Sequence, residues 1–439
     1  MLPLLRSAVL LLLAAPLAAQ GHVLVVQASG GGAPYTTIPA ALSAAQPGDV
    51  LLVKSGTYSG FAVANKAVSI VGDVSANVLV QGTIQVRNLA ADRHVLLANL
   101  HAIGATSPSA NDGPGITLKD DLGAVRVQGC IAQGAANLPG LRAAGSVNAA
   151  ASDCTLVGGV GAASAVFVPS GSGLELDASS FVLLESSAIG GNGYFAGTPN
   201  LGYPACGGGT GGSAVRVLTT TFLHVAGSAL TGGLGRDGTD GCNGGGQLDQ
   251  CCFGGGGGHG YRLDSSGSTL WRLDDLVQPG SEGLGGTGHC GCGLVTTCDC
   301  WADEPGQSVF AGQNDSLSTL PGAAPRLSAL LNPVREGQSV QLAIDASPGD
   351  QIFLLVDRRP AFAPQPGAGV RLVDPSAPHL MQIVGPADPL GNASLSWVVP
   401  DLGAGVESVV VHLQAFVVQA NGARRWSNPL ALVLLDSAF

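Results

Sequence analysis

The chain has 439 residues, of which 46% are hydrophobic and only 11% charged, yet its formal net charge is −11. So acidic a composition excludes a basic nucleic-acid-binding surface, and so apolar a one excludes a disordered chain. Glycine stands out at 67 residues, about twice its usual share, and without a Gly-X-Y period it does not signal collagen.

The first segment reads as an export signal. Arg6 precedes an apolar run from Ala8 to Ala15, and small residues follow at Ala18 and Ala19 before Gln20. A charged start, a short apolar core and a small-residue exit predict cleavage after Ala19, with an uncleaved anchor as the alternative. The run is too short to serve as an ordinary membrane span, so no transmembrane span is expected in the mature chain. The predicted location is secreted or cell-surface. Ten Cys in an exported chain then read as disulfides.

From Tyr35 to Asp73 the residues spell out a sequence of short elements. Ile38, Ala41, Leu42 and Ala45 share one helical face, so residues 37–45 predict a short amphipathic helix, capped by Thr36 or Thr37. Pro47, Gly48 and Asp49 stop it. Val50 to Val53, Phe61 to Val63 and Val68 to Val71 read as strands. Tyr35, Thr37, Ile38, Gly48, Asp49, Gly56, Thr57 and Tyr58 together resemble the opening of the pectin-lyase-like family of right-handed parallel β-helices. That resemblance covers about forty residues. It implies a coil of parallel strands whose open end is capped by the helix.

Beyond this opening, apolar runs recur with a small or polar corner and a glycine end. They end at Gly134, Gly159, Gly191, Gly233 and Gly280, with Cys130, Cys154, Ser187, Ser228 and Asp275 as equivalent corners. The spacing lengthens along the chain, and the excess falls in the Gly-rich stretches 190–212, 232–260 and 283–293. Rungs that stay intact while one side grows are the signature of a solenoid. Cys130 and Cys154 are expected as a stacked pair on neighbouring rungs. Cys206, Cys242, Cys251, Cys252, Cys290, Cys292, Cys298 and Cys300 fall in or beside the Gly-rich insertions. They are the disulfide candidates, expected to link loops gathered on one side of the coil.

The rung pattern stops near Gly312. The predicted β-helix is 20–314, followed by a linker at 315–324 and a small antiparallel, Ig-like β-sandwich at 325–439. About six strands are legible there: 340–344, 352–356, 380–384, 393–399, 408–418 and 430–435. The unit has no Cys, so its own core must hold it. Phe353, Phe416 and Trp397 are expected in that core, with a sugar platform as the alternative, and the unit is expected to fold without the coil.

No catalytic constellation is evident. Polygalacturonase-like enzymes carry an Asn-Thr-Asp, an acidic pair and a Gly-His-Gly. Here Asn111-Asp112, Asp120-Asp121 and Gly258-His259-Gly260 are present, but the Thr is missing and the His is distant. A lyase needs carboxylates for Ca²⁺ and a base. Glu175, Asp177 and Glu185 with Arg126 or Arg216 supply the residue types without a compelling spacing. Cofactors are not expected, although Asp237 and Asp240 carry a partial Ca²⁺-loop pattern that lacks the twelfth-position Glu. Cys290, Cys292, Cys298 and Cys300 with His289 also offer thiolate-metal spacing. The expected partner is an extracellular polysaccharide or cell-surface component. A structural, adhesive or carbohydrate-binding role is favoured over a polysaccharide lyase or glycoside hydrolase.

Overall fold

In the computed structural model the described residues are 21–29, 31–105, 113–161, 169–194, 209–237, 255–282, 287–288, 298–299, 304–311, 314–374 and 380–439. The export signal expected at 1–19 lies outside them. These residues are nearly all β, and among them there is one seven-residue helix, Ile38–Ala44. Thr37 caps it, its hydroxyl accepting Ala40 N–H, and Lys66 Nζ donates to Leu42 O and Ala45 O at its far end. Its buried residues Ile38, Ala41 and Leu42 join the core of a parallel β-helix, closing its first end.

Each full coil has three strands. First-face strands run from Val23–Val26 through Val50–Val53, Ala124–Gln128 and Phe222–Ala226 to Ser316–Leu320, in a ten-stranded parallel sheet. Short second-face strands such as Ile131–Gln133 and third-face strands such as Leu141–Ala144 stack likewise. They merge into one sheet because Val78–Arg87 pairs with both stacks, bending at Gly82. Two ladders of small polar side chains run up the corners. Ser186 and Ser228 accept backbone N–H groups of Cys154 and Ser186, while Ser179, Thr221, Ser268 and Asp315 accept those of Ser146, Ser179, Thr221 and Ser268. Small polar residues thus satisfy corner amides that the sheets leave unpaired.

Two expectations about the coil are corrected. The corner equivalent to Cys154 is Ser186, not Ser187, because Thr155 pairs with Ser187. The predicted linker also contains the last first-face strand. Ser316–Leu320 pairs with Thr269–Leu273, and Leu317 continues the inward column of Leu270. Ser and Thr on the outer side obscured that alternation.

The C-terminal residues form two sheets. Arg326–Ala329, Ser339–Asp345 and Asn392–Val398 make one. Val334–Arg335, Arg424–Leu435, Ser408–Val418, Gln351–Asp357 and Leu380–Pro386 make the other. All pairs are antiparallel except Val334–Arg335 with Arg424–Leu435. One core holds residues of both, among them Leu342, Ile352, Leu413 and Leu432. Trp397 packs against it, whereas Phe353 and Phe416 lie outside it in a half-buried ring cluster with Trp426. Those two rings sit at outward positions of their strands.

This unit is not a detached appendage. Val50, Leu52, Val71 and Leu96 of the first face share one buried cluster with Ala431, Val433 and Leu435. Ala150, Val182, Leu184 and Leu273 share another with Val370 and Leu372 of the hairpin Pro360–Gln365 and Gly369–Val373. Polar first-face residues find partners there as well: Gln128 Oε1 accepts Ala431 N–H at 2.8 Å, and Arg335 pairs with Asp73 at 2.9 Å. The hairpin was not expected from the sequence, because its prolines disguise its strands.

Candidate functional site

The third face is open, and its strands alternate. Leu141, Leu174, Val215 and Tyr261 point inward and are buried. One register step along, Thr117, Arg142, Glu175, Arg216 and Arg262 form an outward column across five coils. Glu175 lies 3.4 Å from Arg142 and 3.9 Å from Arg216. Arg216 and Arg262 converge on Asp264 at 2.7 and 2.6 Å. Asp177 accepts the Thr219 hydroxyl at 2.6 Å. Burial pushes the Glu175 carboxyl above its ordinary range and outweighs both arginines. Burial acts the same way on Asp264, but there the hydrogen bonds from Arg262 and Arg216 win and hold it low. The result is a strip of alternating charge that offers both hydrogen-bond donors and acceptors to a ligand lying along the coil.

Beside this face the Gly-rich insertions leave and re-enter the coil. Each departs after a second-face strand and returns before a third-face strand, so their roots form two columns. The columns are bonded to each other in a zigzag. Gly171 N–H donates to Gly159 O, Gly191 to Gly171, Gly212 to Gly191, Gly233 to Gly212, Gly258 to Gly233, Gly280 to Gly258 and Gly306 to Gly280, at 2.8–3.0 Å. Intervening residues bond along each column: Gly190 N–H to Thr231 O, Gly232 to Gln278, Gly211 to Gly256 and Gly257 to Glu304. No side chain fits. A Cβ on Gly212, Gly233 or Gly258 would sit 2.1, 2.0 or 1.9 Å from a carbonyl oxygen. The glycines are therefore required by close backbone approach, and they build a hydrogen-bonded layer at the foot of every insertion from residue 158 onward.

The structure brings together Glu175, Asp177 and Arg216 but not the other suggested partners. Glu185 lies at the corner of the first and second faces, 3.8 Å from Arg326, where burial raises its pKa to about 7. Arg126 is buried beneath the C-terminal unit. Asp120 and Asp121 belong to a turn several coils from His259, which stacks on Phe310. Asn111 and Asp112 lie outside the described residues. Cys130 and Cys154 sit on adjacent rungs, Thr155 N–H donating to Cys130 O, and both thiols are buried and unbridged. Parallel stacking holds Cβ atoms about 4.8 Å apart, wider than the roughly 3.8 Å of a disulfide. Burial pushes the Cys130 thiol up to about 12, so neither serves as a thiolate. Cys206, Cys242, Cys251, Cys252, Cys290, Cys292 and Cys300 lie outside the described residues, as do Asp240, His289 and the side chain of Cys298. Among the described residues no group of three or more His, Cys, Asp or Glu could hold a metal ion.

Sequence reasoning missed Arg142, Arg262, Asp264 and Thr219. The signal was present in the alternating segments LRAA, LELD, VRV and YRL, whose polar members fall on one side.

Among the described residues no helix is long and apolar enough to cross a membrane. No protein-family model matches the chain, and no curated protein is similar to it. Among solved structures it is similar to pectate lyase Pel9A, at 11% identity and a TM-score of 0.32, over 60% of this chain and 78% of that one. It is also similar to the enzymatically active domain of tailspike protein 4 of bacteriophage CBA120, at 10% identity and a TM-score of 0.21, over 88% of this chain and 64% of that one. A shorter stretch, 25% of this chain, is similar to 80% of superoxide reductase (neelaredoxin) from Ignicoccus hospitalis, at 10% identity and a TM-score of 0.16. The assignment of a parallel β-helix rests on the strand pairing itself.

Proposed function

We propose that this chain is an extracellular, non-enzymatic binding scaffold that engages carbohydrate or a cell-surface component through its loop-bearing corner and adjacent third face. The observation that carries this reading is the glycine layer. A hydrogen-bonded base under successive insertions is what a fixed binding surface needs, because pre-ordering the roots lowers the entropy lost on binding. The charged strip beside it, with its arginines and carboxylates already paired, suits recognition of hydroxyl-rich ligands better than proton transfer. Disulfides among the insertion cysteines would fix the same surface further. Binding of the full chain to immobilised acidic and neutral polysaccharides tests this. Retention that is lost when residues 195–208 and 238–254 are replaced by short glycine-serine linkers supports it, and retention unchanged by both replacements refutes it.

A second reading has one observation in its favour. Glu175, Asp177 and Asp264 share one face with Arg142, Arg216 and Arg262, and Glu175 is held above the ordinary carboxylate range. A polysaccharide lyase or glycoside hydrolase needs such a gathering of acids and bases. Cleavage of acidic or neutral polysaccharides, with and without Ca²⁺, that disappears in Glu175→Gln would establish this reading in place of the first.

A further inference from the structure

A cleft of about 710 Å³ opens between the first face and the C-terminal unit, at the end of the coil nearer the helix. It is separate from the third face and from the glycine layer. Its coil wall carries Arg93 and His94, and its opposite wall carries Arg358, Arg359 and Asp374. Asp92 is the other acid lining it.

The charge balance here runs against that of the molecule. The chain has 30 acidic residues and 19 basic ones. This cleft gathers three arginines and a histidine against two aspartates, and Asp374 is already occupied by Arg359 at 3.4 Å. Behind the lining residue Asn148 lies a further guanidinium. Arg126 is 4% exposed and donates only to neutral oxygens: Val125 O at 3.0 Å, Asn148 O at 2.9 Å, Asn148 Oδ1 at 2.8 Å and Ala361 O. No carboxylate among the described residues pairs with it. Its Nε is buried without a partner, and so is that of Arg358. His412 stands edge-on to His94 at 6.1 Å with its Nε2 likewise unpartnered. A buried cation with no counter-charge is costly, and an anion in the neighbouring cleft would offset that cost.

We infer that this cleft binds an anionic saccharide, a sugar unit bearing a carboxylate or a sulfate, with Arg358 and Arg359 on one wall and Arg93 and His94 on the other. Guanidinium forks match both anions with paired hydrogen bonds. The volume is that of an ordinary small-ligand site. The remaining lining mixes aliphatic side chains, including Val68, Leu402 and Val409, with the polar Ser69, Asn148 and Ser408, which suits the C–H faces and hydroxyls of a sugar ring rather than a bare ion. The site is independent of the proposed function, since it requires neither the insertions nor the charged strip.

Calorimetric titration of the full chain decides the matter. The probes are a galacturonate disaccharide, a sulfated galactose disaccharide, a neutral galactose disaccharide and sodium sulfate alone. The expected result is saturable binding of one or both charged disaccharides, at least tenfold tighter than the neutral sugar or free sulfate. The stronger of the two charged probes identifies the anion. Arg359→Gln should weaken that binding about tenfold, and Asp374→Asn, which removes a competing carboxylate, should tighten it about threefold. A general folding defect would weaken both. Equal binding of neutral and charged sugars, no binding of either charged sugar, or a shift of the two variants in the same direction overturns the inference.

Discussion

The first and third faces of the coil are both built from short parallel strands, yet they have opposite textures. First-face strands such as VLLV, HVLLA and SFVLL are apolar at every position or nearly so, because one side meets the coil interior and the other meets the C-terminal unit. Third-face strands such as LRAA and LELD alternate, because their outer side meets solvent. A strand covered on both sides loses its period. The comparison teaches that in a solenoid the face with no alternation is the one already occupied, and the face with alternation is the one left for function.

The largest effect should come from testing the covered face against the open one with the same substitution. Val182→Asp places a charge in the buried cluster shared with Val370 and Leu372. It is expected to destabilise by about 4 kcal/mol, a loss readable by urea unfolding. Lys119→Asp falls at an exposed position of the open face and should change stability by less than about 1 kcal/mol. Similar losses at the two positions would mean that the first face is not covered.

The glycine layer comes next. Gly233→Ala forces a methyl to within 2.0 Å of Gly191 O and should cost about 3 kcal/mol. The control is Gly422→Ala. That residue has φ +83° and nothing within 4 Å of its Cβ, so only the backbone term of about 1 kcal/mol remains. Melting temperatures of the two variants separate steric exclusion from conformational preference.

A pH effect distinguishes the faces further. His224 lies on the covered side, 2% exposed, and burial lowers its pKa to about 4. The folded chain therefore binds fewer protons than the unfolded chain between pH 6.5 and 4, and stability is lost as pH falls through that window. At most about 3 kcal/mol is at stake. His224→Leu should flatten the slope of stability against pH in this range. An unchanged slope would show that this histidine is solvated.

The smallest effect belongs to the open strip. Glu175→Gln removes bridges of 3.4 and 3.9 Å to half-exposed arginines, and such pairs contribute at most about 1 kcal/mol. Its consequence should appear in ligand retention rather than in the melting temperature.

Much of the fold was legible because its rules are local. The Thr37 cap, the Gly48-Asp49 stop and the Tyr58 bend each act within a few residues. Asp49, for example, accepts Gln46 N–H at 2.6 Å, and the Tyr58 hydroxyl donates to Lys54 O at 2.8 Å. The glycines that end each rung, Gly159, Gly191, Gly233 and Gly280, were also visible, but their purpose was not. Their partners Gly171, Gly212, Gly258 and Gly306 come from returning roots, a pairing that no local pattern encodes. The same distance hid the cover on the first face. Arg126 reads as an exposed basic residue until Ala361, 235 positions away, is placed over it.

Hydrogen exchange at the glycine layer tests most directly whether these segments are a built surface or merely linkers. Peptides spanning 189–193, 209–214 and 231–235 carry the amides of Gly191, Gly212 and Gly233, each bonded to the preceding column at 2.8 Å. Backbone amides held this way should exchange as slowly as those of the covered strand Ser180–Leu184. Exchange in all three at the rate of an unstructured glycine chain would contradict the layer, and with it the fixed binding surface proposed here.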